Sequence, residues 1–364
     1  MRFLMLNWRD PKNPLAGGAE QVSQRYLQAL RERGHEVAWF ANRFPGSASF
    51  EEIDGIPVHR GGGQGTSIVS AMKWCNAQRR FDLVIDQHHG IPWYAPWWCG
   101  TNCVAYIHEV LGPIWNSFFN WPWDVIGRWQ ERMTHELYSR VPFWTPSDST
   151  RRLLELAGVQ TVKVLPNGVD AVPLKELPPK PLTEPVQLIT VSRLAPNKRV
   201  DHAVQLLAEL RKRGVRAELS IVGGGHCEPD LKGLVKSLEL VGEVHFRGRV
   251  SDVEKNRLLA AAHFLVHPSQ REGWGLNVIE ANAMGTPALV YPVGGLVDST
   301  IADVTGLVAA RETPAALADE LGKLSLGGER YAGLRENAWR RAFEFRWERV
   351  LTPACEWLEE QARG

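Results

Sequence analysis

The sequence lacks four things, and each absence narrows what the chain can be. It has no run of about 18 apolar residues, the length a helix needs to cross a bilayer, so no transmembrane helix is expected. It has almost no charge imbalance: 42 Lys and Arg against 41 Asp and Glu leave a net charge of +1, which offers nucleic acid no basic field. It is poor in cysteine, and five thiols without dense spacing fit a reducing cytosol better than a disulfide framework. Cys99 and Cys103 are the one close pair; with no second pair they read as small buried thiols rather than zinc ligands. Finally, it has no Asp-x-Asp metal motif. The opening residues Met1 to Asn7 are too short for a signal peptide and read as a first strand, so a cytoplasmic protein is expected.

What is present is a chain long enough for two cores. At 364 residues and 44% hydrophobic content, two domains are expected. The first half alternates strands and helices. Arg2–Asn7, Glu36–Ala41, Leu83–Asp86, Cys103–His108 and Phe143–Pro146 read as strands. Ala19–Arg33 reads as a helix with Val22, Tyr26, Leu27 and Leu30 at helical spacing and a Gly34 stop. A second series starts at Val186–Ser192 and continues through Arg216–Val222, Val244–Arg247, His263–His267 and Ala288–Tyr291. Strands alternating with helices predict parallel sheets. Between the halves, Pro173 to Pro185 holds five prolines in thirteen residues, which neither a helix nor a central strand tolerates. The expected organisation is therefore an N-terminal domain 1–170, a linker 171–185, a second domain 186–335, and a terminal segment 336–364 that includes one long helix, Glu336 to Leu358.

In open parallel sheets, ligands bind beyond the carboxyl ends of the strands. The candidate residues sit there. The most informative stretch is Glu272-Gly-Trp-Gly-Leu-Asn-Val-Ile-Glu280, between a strand and a helix. Its glycines let backbone N–H groups approach an anion at the helix N-terminus. Glu272 and Glu280, eight residues apart, can share one face, with Glu280 on ribose hydroxyls and Glu272 near a reacting sugar. The alternative is a solvated loop Glu and a surface-helix Glu. Arg193 and Lys198, on the loop after Val186–Ser192, suit a diphosphate as a bidentate fork and a point charge. Gly17-Gly18 opens the first helix and can offer amides to a phosphate, although no dinucleotide fingerprint is complete. His108-Glu109 and His88-His89 end strands and are candidates for sugar hydroxyls, or else for structural histidines.

Taken in order, these pieces resemble glycosyltransferase family 4, the group 1 retaining enzymes of the GT-B fold. The matching segments are Gly17-Gly18-Ala19-Glu20, His108-Glu109, Pro146-Ser147, Leu165 to Asp170, Ser192-Arg193 to Lys198, Gly223-Gly224-Gly225, Arg247 to Asp252, and Glu272 to Pro287. The resemblance implies an α/β protein of two Rossmann-like doubly wound domains facing a central cleft, with the terminal helix of 336–364 crossing back onto the first domain. It implies transfer of a sugar from a nucleotide-diphosphate sugar to an acceptor hydroxyl, with no cofactor and no metal. Arg193 and Lys198 would then neutralise the departing diphosphate. Glu272 would contact the transferred sugar, Glu280 the ribose, and His108 the sugar from the first domain. Gly17, Gly18, Gly224, Gly273, Trp274, Gly275 and Leu276 would line the donor. Base contacts would fall around Gly225 and Arg247 to Val250, chiefly through the backbone, which leaves UDP, GDP, ADP and dTDP open. Trp274 stands where the family often has Phe, and Glu109 where Asp is also common. A nucleotide-sugar epimerase and a silent nucleotide-binding protein are the competing readings.

Tryptophan is unevenly placed, with eleven of fifteen before residue 145. The segment Ile114 to Arg132 is crowded with rings. Together with His88, His89 and Glu109, its Trp115 and Trp121 are candidate acceptor contacts. Its apolar character suits a lipid-linked acceptor or a shallow contact at the inner face of the membrane; a glycan or small-molecule acceptor, with the rings packed as core and lid, is the alternative. Pro122 is expected to prevent a single amphipathic helix here.

Overall fold

The computed structural model describes every residue except Gln64 and His89, and for Pro113 and Phe118 the backbone alone. The chain divides into two compact units: Met1–Gly168 with Glu348–Gly364, and Val169–Trp347.

The first unit is built on β1 (Arg2–Leu6), β2 (Glu36–Ala41), β3 (Phe50–Ile53), β4 (Ile56–Arg60), β5 (Leu83–His88), β6 (Asn102–Ile107), β7 (Phe143–Thr145) and β8 (Val162–Val164). Their order across the sheet is β3-β4-β2-β1-β5-β6-β7-β8. All pairings are parallel except β3 with β4. That hairpin turns at Asp54-Gly55, both with positive φ (48° and 79°), the backbone a tight two-residue turn demands. The Asp-Gly signal was in the sequence, yet neither strand was expected. Phe3, Leu4, Met5 and Leu6 of β1 are all fully buried, as a strand covered on both faces requires.

The second unit carries β9 (Val186–Val191), β10 (Ala217–Val222), β11 (Val244–Gly248), β12 (Phe264–His267), β13 (Ala288–Val290) and β14 (Gly306–Val308). Its sheet is wholly parallel, in the order β11-β10-β9-β12-β13-β14. The order reverses between β9 and β12, the kind of point at which ligands of open parallel sheets bind. In the first unit the equivalent reversal lies between β1 and β5.

Two segments depart from the sequence reading. The proline-rich stretch is not a detached linker, because the division falls at 168/169 and residues 171–185 pack on the second unit. Leu182 is buried there, the Leu174 N–H donates to the Ala283 carbonyl (3.0 Å), and Arg335 donates to the Pro178 carbonyl (3.0 Å). Lys180 donates to the Ala260 carbonyl at 2.9 Å and the Thr286 hydroxyl at 2.8 Å. Proline removes donors but leaves carbonyls, and Arg335 takes up one of them. The expected helix Glu336–Leu358 is two helices, Glu329–Ala342 and Trp347–Arg363, parted by a 3₁₀ turn and an extended Arg346. Residues from Glu348 onward belong to the first unit. There Glu359 accepts from Arg33 (2.6 and 3.0 Å) and lies 2.9 Å from the His35 ring.

Candidate active site

In the second unit two loops follow the strands that flank the β9/β12 reversal. The first, Ser192 to Lys198, leaves β9 and lies directly against the glycines after β10. A Cβ on Gly223 would stand 1.9 Å from the Ser192 carbonyl oxygen, and one on Gly225 would stand 2.3 Å from that of Leu194. The glycines are therefore required by backbone packed on backbone. The second loop runs from β12 to the helix Leu276–Ala283 and turns through Gly275, whose φ is 83°. The two loops are stitched together: the Gln270 N–H and the Ser269 hydroxyl both donate to the Asn197 carbonyl, at 2.8 and 3.1 Å.

This stitching brings Lys198 onto Glu272, where the ammonium donates to a carboxylate oxygen. The His267 Nε2, at the end of β12, lies 3.3 Å from the same oxygen. Burial pushes the Glu272 carboxyl up, but Lys198 and His267 outweigh it and hold the group well below the usual carboxylate range. Arg193 on the same loop is exposed and has no side-chain partner among the described residues. Deeper along the helix, Glu280 accepts from Lys255 at 2.9 Å, and Lys255 also lies 3.0 Å from Asp252. Burial raises the Glu280 carboxyl, and Lys255 offsets this only in part. Trp274 turns its ring into the core, 5.2 Å from Phe345, so only its backbone faces the loop. Gly224 lies beside Arg249, while Arg247 is exposed with one long hydrogen bond to Ser220 (3.4 Å) and Val250 is half-buried.

Three groups of residues escaped the sequence reading. The charged partners His267 and Lys255 are one; the carboxylates they meet lie 5 and 25 residues away, so proximity was not readable from spacing alone. Gly294-Gly295 is another: the Glu272 N–H donates to the Gly294 carbonyl, and a Cβ on Gly295 would stand 2.1 Å from the Glu272 carbonyl oxygen. A glycine pair following β13 was the available signal. The third is in the first unit, where Gln87 of β5 links β1 to β6. Its Oε1 accepts from the Asn7 amide (2.7 Å), whose own oxygen is taken by the Arg9 N–H (3.2 Å), and this fixes the amide orientation, with the Ser23 hydroxyl 2.8 Å away. Its Nε2 therefore donates to His108 Nε2 at 3.0 Å, leaving that ring's proton on Nδ1.

Other first-unit candidates are placed differently from expectation. His88 ends β5 as expected, but its ring is buried edge-on to Tyr138 (4.8 Å) and Phe143 (5.6 Å), 3.7 Å from Asp86. Asp86 itself accepts from the Trp93 and Ala95 amides and the Tyr138 hydroxyl (2.9, 3.0 and 2.7 Å), and burial pushes it up to about 6. His89 lies outside the described residues. Trp115 is buried and donates to Glu131 (3.2 Å), which makes it a packing residue, whereas Trp121 is exposed and Glu109 half-buried. Gly18 begins the helix Gly18–Glu32, but the Gly17 N–H is already taken by the Glu20 carboxylate (2.7 Å) rather than presented outward.

Two family models match this arrangement: Glycosyltransferase Family 4 over residues 16–172 and Glycosyl transferases group 1 over residues 176–341. The chain belongs to glycosyltransferase family 4. It is similar to a glycogen synthase of Mycobacterium tuberculosis, 30% identical over 209 residues, which cover 57% of this chain and 50% of that protein. The match thus spans about half the length of that curated relative. Among solved structures, sucrose-phosphate synthase of Thermosynechococcus elongatus superposes with a TM-score of 0.80 at 19% identity, over 99% of this chain and 98% of that one. Anabaena HepE in complex with UDP and glucose gives 0.74 at 19% identity, over 99% and 100%. At such identities the likeness establishes the fold, which is GT-B. No described helix of the chain is long and apolar enough to cross a membrane.

Proposed function

We propose that the protein transfers a sugar from a nucleoside diphosphate sugar to an acceptor hydroxyl with retention at the anomeric carbon and without a metal. The observation that carries this reading is the pair of loops at the β9/β12 reversal, where Lys198 meets Glu272 ahead of a glycine-opened helix N-terminus and Arg193 stands exposed on the same loop as Lys198. A diphosphate entering there meets a bidentate fork, a point charge and backbone amides. Those cations stabilise the charge that develops as the nucleotide leaves, which is the work a divalent cation would otherwise do. An incoming phosphate competes with Glu272 for Lys198 and so releases the carboxylate toward the sugar hydroxyls. Glu280, steadied by Lys255, takes the ribose.

The bond between the anomeric carbon and the leaving phosphate oxygen breaks. The acceptor oxygen bonds to the same face of that carbon, and its proton passes to a phosphate oxygen of the leaving nucleotide. The first unit binds the acceptor, and its His108 contacts the transferred sugar. A uridine nucleotide is the first donor to test, because HepE is seen with UDP and glucose.

The test is a thermal-shift panel of UDP, GDP, ADP and dTDP in EDTA, on the wild type and on Glu280→Ala. A nucleotide at about 100 times its dissociation constant adds roughly 2.7 kcal/mol. One nucleotide stabilising the wild type and not the variant is the expected result. No shift with any of them, in EDTA or in magnesium, would overturn the donor site; a shift only in magnesium would overturn metal independence.

A further inference from the structure

The helix Trp123–Leu137 is turned inside out. Its inward stripe is polar, made of Asp124, Gly127, Glu131, Thr134 and His135. These residues are committed to partners. The Glu131 carboxylate accepts from the Leu111 and Gly112 amides (2.6 and 2.7 Å) and from the Trp115 indole (3.2 Å). Gly127 lets the Trp115 ring lie against the helix, since a Cβ there would stand 2.4 Å from the ring. Pro122 does not interrupt the helix but precedes its first residue. The helix is therefore pinned and cannot roll its other side inward.

That other side is apolar. Ile126, Trp129, Met133 and Leu137 follow one another at helical spacing and are all exposed. Trp121, Trp123 and Trp129 are 82%, 65% and 63% exposed. Arg128 and Arg132 flank the stripe and Arg140 follows it, all exposed, with Glu136 the acidic residue on that flank. Arg128 also bonds Asp124 at 2.9 Å. A contiguous apolar stripe left in water is unfavourable, and on a soluble domain it marks a surface that something covers.

We propose that this face seats the protein on the surface of an anionic phospholipid bilayer. Indole rings favour the boundary between acyl chains and headgroups, and arginines beside them meet lipid phosphates. A peptide groove or a second copy would use the apolar stripe but leave the arginine flank without a counterpart. Glu131 ties this helix to the loop that leaves β6 after His108, so the same contact brings that strand end to the lipid surface. The inference stands apart from the sugar-transfer reading, and its test uses no sugar.

The full chain is floated with vesicles of phosphatidylcholine alone and of phosphatidylcholine mixed with phosphatidylglycerol. Binding to the mixed vesicles is expected, weaker on neutral ones and weaker as salt rises. Trp129→Ser combined with Met133→Ser is expected to lower partitioning at least about tenfold, and Arg132→Gln about fivefold. Unchanged far-ultraviolet circular dichroism and an unchanged melting temperature keep loss of folding apart from loss of docking. Failure of the wild type to bind mixed vesicles overturns the proposal, as does binding that both variants retain. A wild-type dimer that the Trp129→Ser, Met133→Ser variant turns into a monomer also overturns it, and assigns the face to a second copy.

Discussion

Lys198→Met removes an ammonium from a half-buried carboxylate while keeping most of the side chain's volume. In the wild type the ammonium touches Glu272 and His267 lies 3.3 Å from it. Unit charges about 4 Å apart attract by roughly 4 kcal/mol at an effective dielectric of about 20. The variant forfeits that attraction, while the cost of keeping Glu272 out of water stays. His267 recovers part of it, and so does protonation of the carboxyl, so a net loss of about 2 kcal/mol at neutral pH is expected. The sign with pH follows from the shift. In the wild type the folded carboxyl lies below its unfolded value, so its contribution is present above about pH 4.3 and lost as pH falls below it. In the variant burial dominates and the folded value rises above the unfolded one. Its contribution is then present at low pH and lost as pH rises. The deficit of Lys198→Met should accordingly be largest near pH 7 and shrink towards pH 4. Adding Glu272→Gln should restore stability, because it removes the stranded charge. Urea unfolding of the wild type, the single variant and the double variant at both pH values measures this. A double variant less stable than Lys198→Met alone, or a deficit that does not change with pH, would refute the reasoning.

Two further outcomes test the framework around the site. Gly225→Ala places a Cβ against the Leu194 carbonyl, so the Ser192–Lys198 loop must move; a cost of about 1–3 kcal/mol and a larger loss of nucleotide affinity are expected, read by thermal melts with and without nucleotide. Glu359, held down to about 2 by its hydrogen bonds to Arg33 against the opposing effect of burial, ties the terminal helix to the first unit. Glu359→Gln should cost about 1 kcal/mol at pH 7; the gap should close as pH falls from about 4.3 towards that value, in melts recorded across the acid range.

Several features were legible in the chain alone because their causes are local. Glu36–Ala41 is a strand and Val186 to Val191 another because short runs of apolar and β-branched residues between turn signals have few alternatives. Gly275 had to be a glycine because the turn into the next helix needs positive φ. The ordered motifs from Gly17 to Pro287 carried the family, since their identity and order do not depend on where side chains point.

What the tertiary structure decided involves groups that only folding brings together. Lys198 and Glu272 are 74 residues apart, and Arg33 and Glu359 are 326 apart; the chain carries no local mark of either pairing. His88 and His108 both end predicted strands. One is sealed beneath Tyr138, and the other is held at Gln87 by an amide whose orientation Asn7 sets. The aromatic helix makes the same point most plainly. Its sequence is amphipathic, and amphipathicity alone predicts that the apolar stripe goes inward. Glu131 reverses this by satisfying two backbone amides and an indole, and Gly127 by admitting the Trp115 ring. Periodicity determines that a helix has two faces; which face is buried depends on what the neighbouring loop needs bonded.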